Sequence, residues 1–133
     1  MSAALYIVLA DADPGFDTQV DGKALSHAAT ELQALAQRLA VAPLMEFFSM
    51  DPADMLAEAE EVGAGVTADE VPAEQWFSAE SGLKTVQTLL DHLRANPGEI
   101  AAGPAVANEL ARFQEILEQA RQRGIRWHLA VDY

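Results

Sequence analysis

Carboxylates and histidines are the side chains of this 133-residue chain that are best suited to chemistry. The stretch DADPGFDTQVDG near the start of the chain contains four aspartates, which are Asp11, Asp13, Asp17 and Asp21. Oxygen-rich loops of this kind bind hard cations such as Ca²⁺ or Mg²⁺. The stretch is not an EF-hand, because Phe16 stands where the motif requires glycine and Gly22 where it requires glutamate. An irregular Ca²⁺ or Mg²⁺ site formed by Asp11, Asp13 and Asp17 is one hypothesis for this loop.

The same loop also has a purely conformational interpretation. Pro14-Gly15 is a turn dipeptide, Asp13 favours the entry to a turn, and Asp21 suits the N-cap of a following helix. In that case the carboxylates only accept hydrogen bonds from nearby backbone N–H groups and bind no ligand. Calcium raises the melting temperature by mass action if the loop binds it, and produces no calcium-specific shift if the loop is only a turn.

The three histidines, His27, His92 and His128, show no metal-ligand spacing such as HExxH. His128 falls on a predicted terminal strand, pointing away from its apolar face and lying beside Arg126 or Asp132. It is either a partly exposed polar side chain or part of a small polar site shared with the acidic loop. The serines lack a GxSxG elbow, the glycines lack the context of a phosphate loop, and the absence of cysteine excludes a thiolate centre.

Four large aromatic side chains lie in two segments outside the predicted long helices, at Phe47, Phe48, Trp76 and Phe77. If they are exposed and rimmed by acids, they would anchor a protein partner. If they are buried, they belong to the core, where large apolar groups normally lie, and Phe77 would pack on the first turn of the next helix. The sequence leaves both interpretations open.

The negative charge is concentrated in the first eighty residues. Fifteen acids there face only Lys23 and Arg38, whereas the remainder of the chain has six acids and six bases, so the whole net charge of −13 arises before Ser81. No base occurs between Arg38 and Lys84. Such a field repels nucleic-acid phosphates and attracts basic partners, so we expect no direct binding to nucleic acid. The alternative is that the acidity only keeps the surface soluble.

Hydrophobic periodicity predicts a single α+β domain over residues 1–133, mainly helical, with N- and C-terminal strands paired in a small sheet packed against the helices. We expect no disulfide, no signal peptide, no membrane span and a cytoplasmic location. The predicted strands cover 5–9 and 125–133, and the predicted helices cover about 23–40, 51–62, 79–95 and 104–123. In the last strand, Trp127, Leu129, Val131 and Tyr133 are predicted to share the buried face.

Three stretches carry a resemblance to other proteins: 43–50, 74–77 and 126–133. With an LxxLLxHL-like helix, they resemble a group of small bacterial proteins of unassigned function that end in a WHLAVDY-like strand. More distantly, the late helix, Gly124 and the terminal strand are similar to YfbM-like domains, which also have no known function. The resemblance implies a soluble, cytoplasmic bacterial protein and supplies no catalytic residues.

Two classes of function follow from these observations. The first is a non-enzymatic acidic interaction module, analogous to immunity proteins and inhibitors, with Phe47, Phe48, Trp76 and Phe77 as anchors for a basic protein partner. The second is a small-ligand or divalent-metal-binding protein, with a hydrolase as one form of it, that uses the Asp11–Asp21 loop and His128. We favour the first class, because the sequence lacks a nucleophile, a cofactor motif and a convincing acid–base pair.

Overall fold

The computed structural model describes residues 3–61, 63, 65 and 73–132. Val62 and Tyr133, which the sequence assigns to a helix and a strand, lie outside the described residues, as do Asp69 and Glu70 of the acidic middle. In chain order the elements are β1 (Ala4–Leu9), α1 (Lys23–His27), α2 (Ala29–Arg38), a 3-10 helix (Leu44–Phe47), α3 (Pro52–Glu61), α4 (Ala79–Ala95), α5 (Gly103–Gln122) and β2 (Trp127–Asp132).

The terminal strands β1 and β2 form a two-stranded antiparallel sheet, which confirms the predicted α+β class and the pairing of the two ends of the chain. The register places Ile7 opposite Leu129 and Val8 opposite His128. Because side chains alternate along a strand, the Ile7–Leu129 pair faces the core and the Val8–His128 pair faces outward. Such a ribbon is marginal alone and is stabilised by the helices packed against its inner face.

The helices α4 and α5 form the centre of the core, and their predicted apolar stripes are buried. Trp127, the first residue of β2, is fully buried against α4, and its indole N–H donates to the carbonyl of Ser78 at 3.1 Å. The close contact requires Gly82, because a Cβ at that position would lie 2.4 Å from the indole ring. A glycine inside a helix therefore marks the place where the sheet meets α4.

The predicted helix over 23–40 is divided in two, with α1 ending at His27 and α2 beginning at Ala29. The two pieces pack on different neighbours, since α1 contacts β1 and α5 whereas α2 contacts α4 and the 3-10 helix. The carboxylate of Glu109 on α5 accepts the N–H groups of Ala24 at 3.2 Å and Leu25 at 2.9 Å. This distant cap fixes the start of α1.

The outer edge of β2 is closed by two irregular segments instead of a third strand. The N–H of Ser49 donates to the carbonyl of Leu129 at 3.1 Å, and Phe77 exchanges backbone hydrogen bonds with Trp127 at 2.8 and 2.9 Å. Phe48 and Phe77 therefore form single β-bridges to β2. Within the part of the chain that is described, no helix is both long and apolar enough to cross a membrane.

Candidate functional site

A groove of about 580 Å³ lies on the outer face of the sheet, between the strands and α3. The outward-facing side chains Tyr6 and Val8 of β1 and Ala130 of β2 contribute to its apolar lining, together with Phe48 and Met50. Tyr6 is 39% exposed and is one of the two large hydrophobic side chains that are exposed among the described residues. The groove therefore has an apolar surface beside the sheet, in a protein whose charge is strongly negative.

Acidic side chains occupy the rim of this groove. The groove is lined by five carboxylates, which are Asp51, Asp54, Glu58, Glu61 and Glu74. Of the described residues that line it, none is a lysine or an arginine. The groove is thus negative on both sides of its apolar surface, which raises the local concentration of cations.

The orientation of α3 explains how three of these acids meet in one place. Asp54, Glu58 and Glu61 are spaced at i, i+4 and i+7, so they share one face of the helix, and that face lines the groove. Asp51 immediately precedes the helix, and its Oδ1 accepts the N–H of Ala53 at 2.8 Å. No residue of α3 is buried. Its apolar residues Met55, Leu56 and Ala59 are half-buried, as is usual for a surface helix, and its exposed acidic face borders the groove.

Glu74 and His128 form a hydrogen-bonded pair at the groove wall. Nε2 of His128 lies 2.7 Å from Oε2 of Glu74, and Nδ1 lies 3.0 Å from the carbonyl oxygen of Leu129. The imidazole is only 2% exposed, and the ring of Trp76 covers it with 4.8 Å between centroids. Both residues line the groove, and the glutamate side chain, which is 23% exposed, is the more accessible member of the pair.

The segment 73–77 places Glu74 by crossing the outer face of β2. The N–H of Gln75 donates to the hydroxyl of Ser49 at 2.7 Å, and Phe77 is bridged to Trp127. This covering corrects the predicted burial of the last strand, because His128 at 2% and Ala130 at 8% exposure lie on the face expected to be open. Val131, expected on the buried face, is only half-buried.

The partner of His128 is Glu74, whereas the sequence interpretation placed it beside Arg126 or Asp132. Sequence reasoning missed Glu74 because the two residues are separated by 54 positions and share no local pattern. The available signal was the acid at Glu74 two residues before Trp76, a large aromatic outside a helix. In an extended segment, residues two apart point to the same side. An aromatic side chain that lies over a strand therefore brings the residue two positions before it to the same face of that strand.

The four aromatic residues predicted as partner anchors have different environments. Phe47 is 5% exposed and lies in the core, where its ring packs edge-on against Phe77 at 5.3 Å and stacks on Trp127 at 5.1 Å. It is therefore not on the surface as the anchor hypothesis requires. Phe77 and Trp76 are half-buried, the first against the core and the second on His128. Of the four, Phe48 is the one that lines the groove.

Three aspartates of the opening loop hold their own backbone in Asx turns. The Oδ1 atoms of Asp11, Asp17 and Asp21 accept the N–H two residues onward at 3.0, 3.0 and 3.2 Å. Arg112 of α5 fastens the loop by donating to the carbonyls of Gln19 at 2.8 Å and Asp17 at 3.0 Å. In the ranges that are described, no three His, Asp or Glu side chains form a group suited to hold a metal ion.

The loop and His128 lie in different places. Residues 18–21 line a second cleft that shares only Tyr6 with the acidic groove among the residues that line either one. The joint site of Asp11, Asp13, Asp17 and His128 is thus not assembled in this structure. The local hydrogen bonds of the loop fit its conformational interpretation, and cation binding by the loop stays a prediction.

Comparisons of the chain with protein-family models, with curated proteins and with solved structures found no match. The resemblance to the small bacterial proteins and the YfbM-like domains stays a prediction, and the functional argument rests on the geometry of the groove.

Proposed function

We propose that this protein is a non-enzymatic interaction module that binds a basic segment of a partner protein in the acidic groove. The observation that carries the proposal is the orientation of α3, whose acidic face lines a groove beside the apolar outer face of the sheet. Carboxylates that only confer solubility have no reason to converge on a cavity with aromatic walls. A cationic ligand with an apolar body fits both features.

Lysine and arginine side chains have the required shape. Their aliphatic stems pack on apolar surface while the charged head stays at the polar rim. In the groove the stems would lie on Val8 and Phe48, with the heads near the carboxylates of α3, and the exposed ring of Tyr6 offers a cation–π contact. The negative field around the groove would accelerate association and make the affinity depend on salt.

A labelled peptide of alternating lysine and valine tests the proposal directly. About nine residues suffice, because an extended peptide of that length overhangs the roughly 15 Å of α3. We expect the affinity to fall steeply with added salt. The triple variant D54N/E58Q/E61Q should bind about tenfold more weakly or worse, since each exposed ion pair contributes up to about 1 kcal/mol.

The matched control is E31Q/E46Q/E60Q, which removes the same charge from exposed positions outside the groove lining. It should bind the peptide nearly as well as the wild-type protein. An equal loss in both triple variants would mean that net charge, and not the groove, attracts the peptide, and that outcome would refute the proposal.

We further propose a cytoplasmic bacterial setting, which agrees with a chain that has no cysteine. The second candidate function, a small-ligand or divalent-metal-binding protein with hydrolase activity, draws support from the Glu74–His128 pair at the groove wall. It ranks below the first because the imidazole is buried and its Nε2 is engaged by Glu74, and because the Ser49 hydroxyl, which also lines the groove, accepts a backbone N–H.

A further inference from the structure

We propose that a cationic group entering the groove displaces a proton from the Glu74–His128 pair, so that binding of a basic ligand releases a proton. This inference rests on the proposed function, because it concerns the same groove. It identifies Glu74 as a specificity-determining carboxylate and makes ligand affinity depend on pH through one defined pair.

The two contacts of His128 place an acceptor on each side of the ring, and donating to both of them requires an additional proton. Nδ1 faces the carbonyl oxygen of Leu129, which can only accept, so this nitrogen carries a hydrogen. Nε2 faces Oε2 of Glu74 at 2.7 Å, and a hydrogen bond at that distance needs a second hydrogen on one of the two atoms. The pair therefore holds either an imidazolium with a carboxylate or a neutral imidazole with a carboxylic acid. In both cases its net charge is zero.

A ligand cation in the groove competes with that proton. Glu74 is the exposed member of the pair, so a guanidinium or ammonium group can approach its carboxylate while His128 stays covered by Trp76. The added positive charge repels an imidazolium and favours an ionised carboxylate without its proton. The coupling is reciprocal. If the bound cation weakens proton binding by a given factor, the bound proton weakens cation binding by the same factor.

Other charged and titratable groups lie around the pair. Tyr6 of β1 lines the same groove, and Arg126 and Asp132 follow the same face of β2 toward its two ends. The acids across the groove are Asp51, Asp54, Glu58 and Glu61. A matched variant must therefore separate the contribution of these acids from that of the Glu74–His128 pair.

The variant pair Glu74→Gln and Glu58→Gln provides that comparison. Both remove one carboxylate from the groove lining. In E74Q the amide NH₂ can donate to Nε2 of a neutral imidazole, so every hydrogen bond of His128 is satisfied without the additional proton. In E58Q the Glu74–His128 pair is intact. Each variant therefore removes one carboxylate, but only E74Q also removes the exchangeable proton.

The lysine–valine peptide is titrated into wild-type protein and both variants between about pH 5.5 and 8.5, the range in which histidine-linked effects fall. Calorimetry in two buffers of different ionisation enthalpy counts the protons released on binding. For wild type and E58Q we expect the Kd to fall with rising pH by up to about tenfold per pH unit, the limit for one linked proton. E74Q should show a much flatter profile and release close to one proton fewer.

The outcomes separate this inference from the proposed function. Proton release that is equal in wild type and E74Q overturns the exchange and leaves peptide binding by the groove intact. Failure of the wild-type protein to bind the peptide at any pH overturns both. A folded-state spectrum of E74Q that matches the wild type ensures that the flatter profile does not come from unfolding.

Discussion

At the scale of single residues, the histidine of β2 is a buried polar side chain with a hydrogen-bond partner at each ring nitrogen. His128 is 2% exposed, and a buried polar atom without a partner costs more free energy than a hydrogen bond normally contributes. The structure avoids that cost by using Leu129 and Glu74 as acceptors on opposite sides of the ring. Glu74 therefore has a structural role in addition to the role proposed in ligand binding.

This dual role gives a stability prediction. Glu74→Ala leaves Nε2 of His128 without its partner, and we expect a loss of about 1–3 kcal/mol in the free energy of unfolding. Glu74→Gln keeps a hydrogen-bonding group and should cost less. The comparison is made by urea denaturation at neutral pH. Glu58 is an exposed acid of the same groove, and Glu58→Ala should change the free energy of unfolding by no more than about 0.5 kcal/mol. An equal effect of E74A and E58A would show that the buried hydrogen bond does not contribute to stability.

At the scale of secondary structure, the short helix α1 depends on a carboxylate from another element. Five residues are too few for a stable isolated helix, and Glu109 of α5 supplies the acceptor for the N–H groups of Ala24 and Leu25. Burial raises the pKa of the Glu109 carboxyl above its ordinary 4.5, although the two backbone N–H groups offset part of that rise. The cap is therefore an ionisable group in a partly desolvated position.

The raised pKa of Glu109 determines the sign of a pH effect. The folded protein binds this proton more tightly than the unfolded chain, so the stability from its protonation is complete below pH 4.5 and is lost as pH rises through the raised pKa. Glu109→Gln carries no such proton. We expect the unfolding free energy of the wild type, measured relative to E109Q, to decline as pH rises from 4.5 toward neutrality.

Urea denaturation across that pH range checks this prediction, with Glu31→Gln as a control that removes an exposed acid from α2. Glu109→Ala removes the cap altogether and should cost about 1 kcal/mol near neutral pH. A wild-type stability that rises with pH relative to E109Q would contradict the assigned direction of the shift.

Local and distant interactions account for what the sequence predicts and what it does not. The boundaries of α4 are predicted as observed, because apolar spacing, the Ser78 cap and the Asn96-Pro97-Gly98 stop are all local signals. The terminal strands are predicted for the same reason. The cap that Glu109 provides for α1 and the pairing of His128 with Glu74 join residues that lie far apart in sequence, so no local signal predicts them.

The candidate site shows the same limit. The sequence identifies the acidic middle and the aromatic segments, but periodicity alone cannot state which surface lies next to the acidic face of α3. A helical wheel separates the face of Asp54 and Glu58 from the face of Met55 and Ala59, and by the usual rule the apolar face would be placed toward the protein. The structure follows that rule, since Met55 and Ala59 are half-buried and Asp54 and Glu58 are exposed. What becomes visible only with the position of the sheet is that these exposed acids border its outer face.

At the scale of the whole molecule, the net charge of −13 opposes the compact state through self-repulsion, most strongly where acids converge. We expect the melting temperature to rise as NaCl screens that repulsion over distances longer than about 3–10 Å. Among variants that remove three charges, D54N/E58Q/E61Q should raise the melting temperature at low salt more than E31Q/E46Q/E60Q does, because its carboxylates share one helix face.

Calcium separates this general screening from a specific site in the opening loop. If the aspartates serve only their Asx turns, CaCl₂ and NaCl at equal ionic strength stabilise the protein alike, and this is the result we expect from the hydrogen bonds of Asp11, Asp17 and Asp21. A larger shift with calcium that disappears in D11N/D13N/D17N would instead establish the cation site, since a ligand that binds the folded state raises its melting temperature. A larger shift that disappears only in D54N/E58Q/E61Q would place cation binding in the groove, where the same carboxylates are proposed to receive a basic partner.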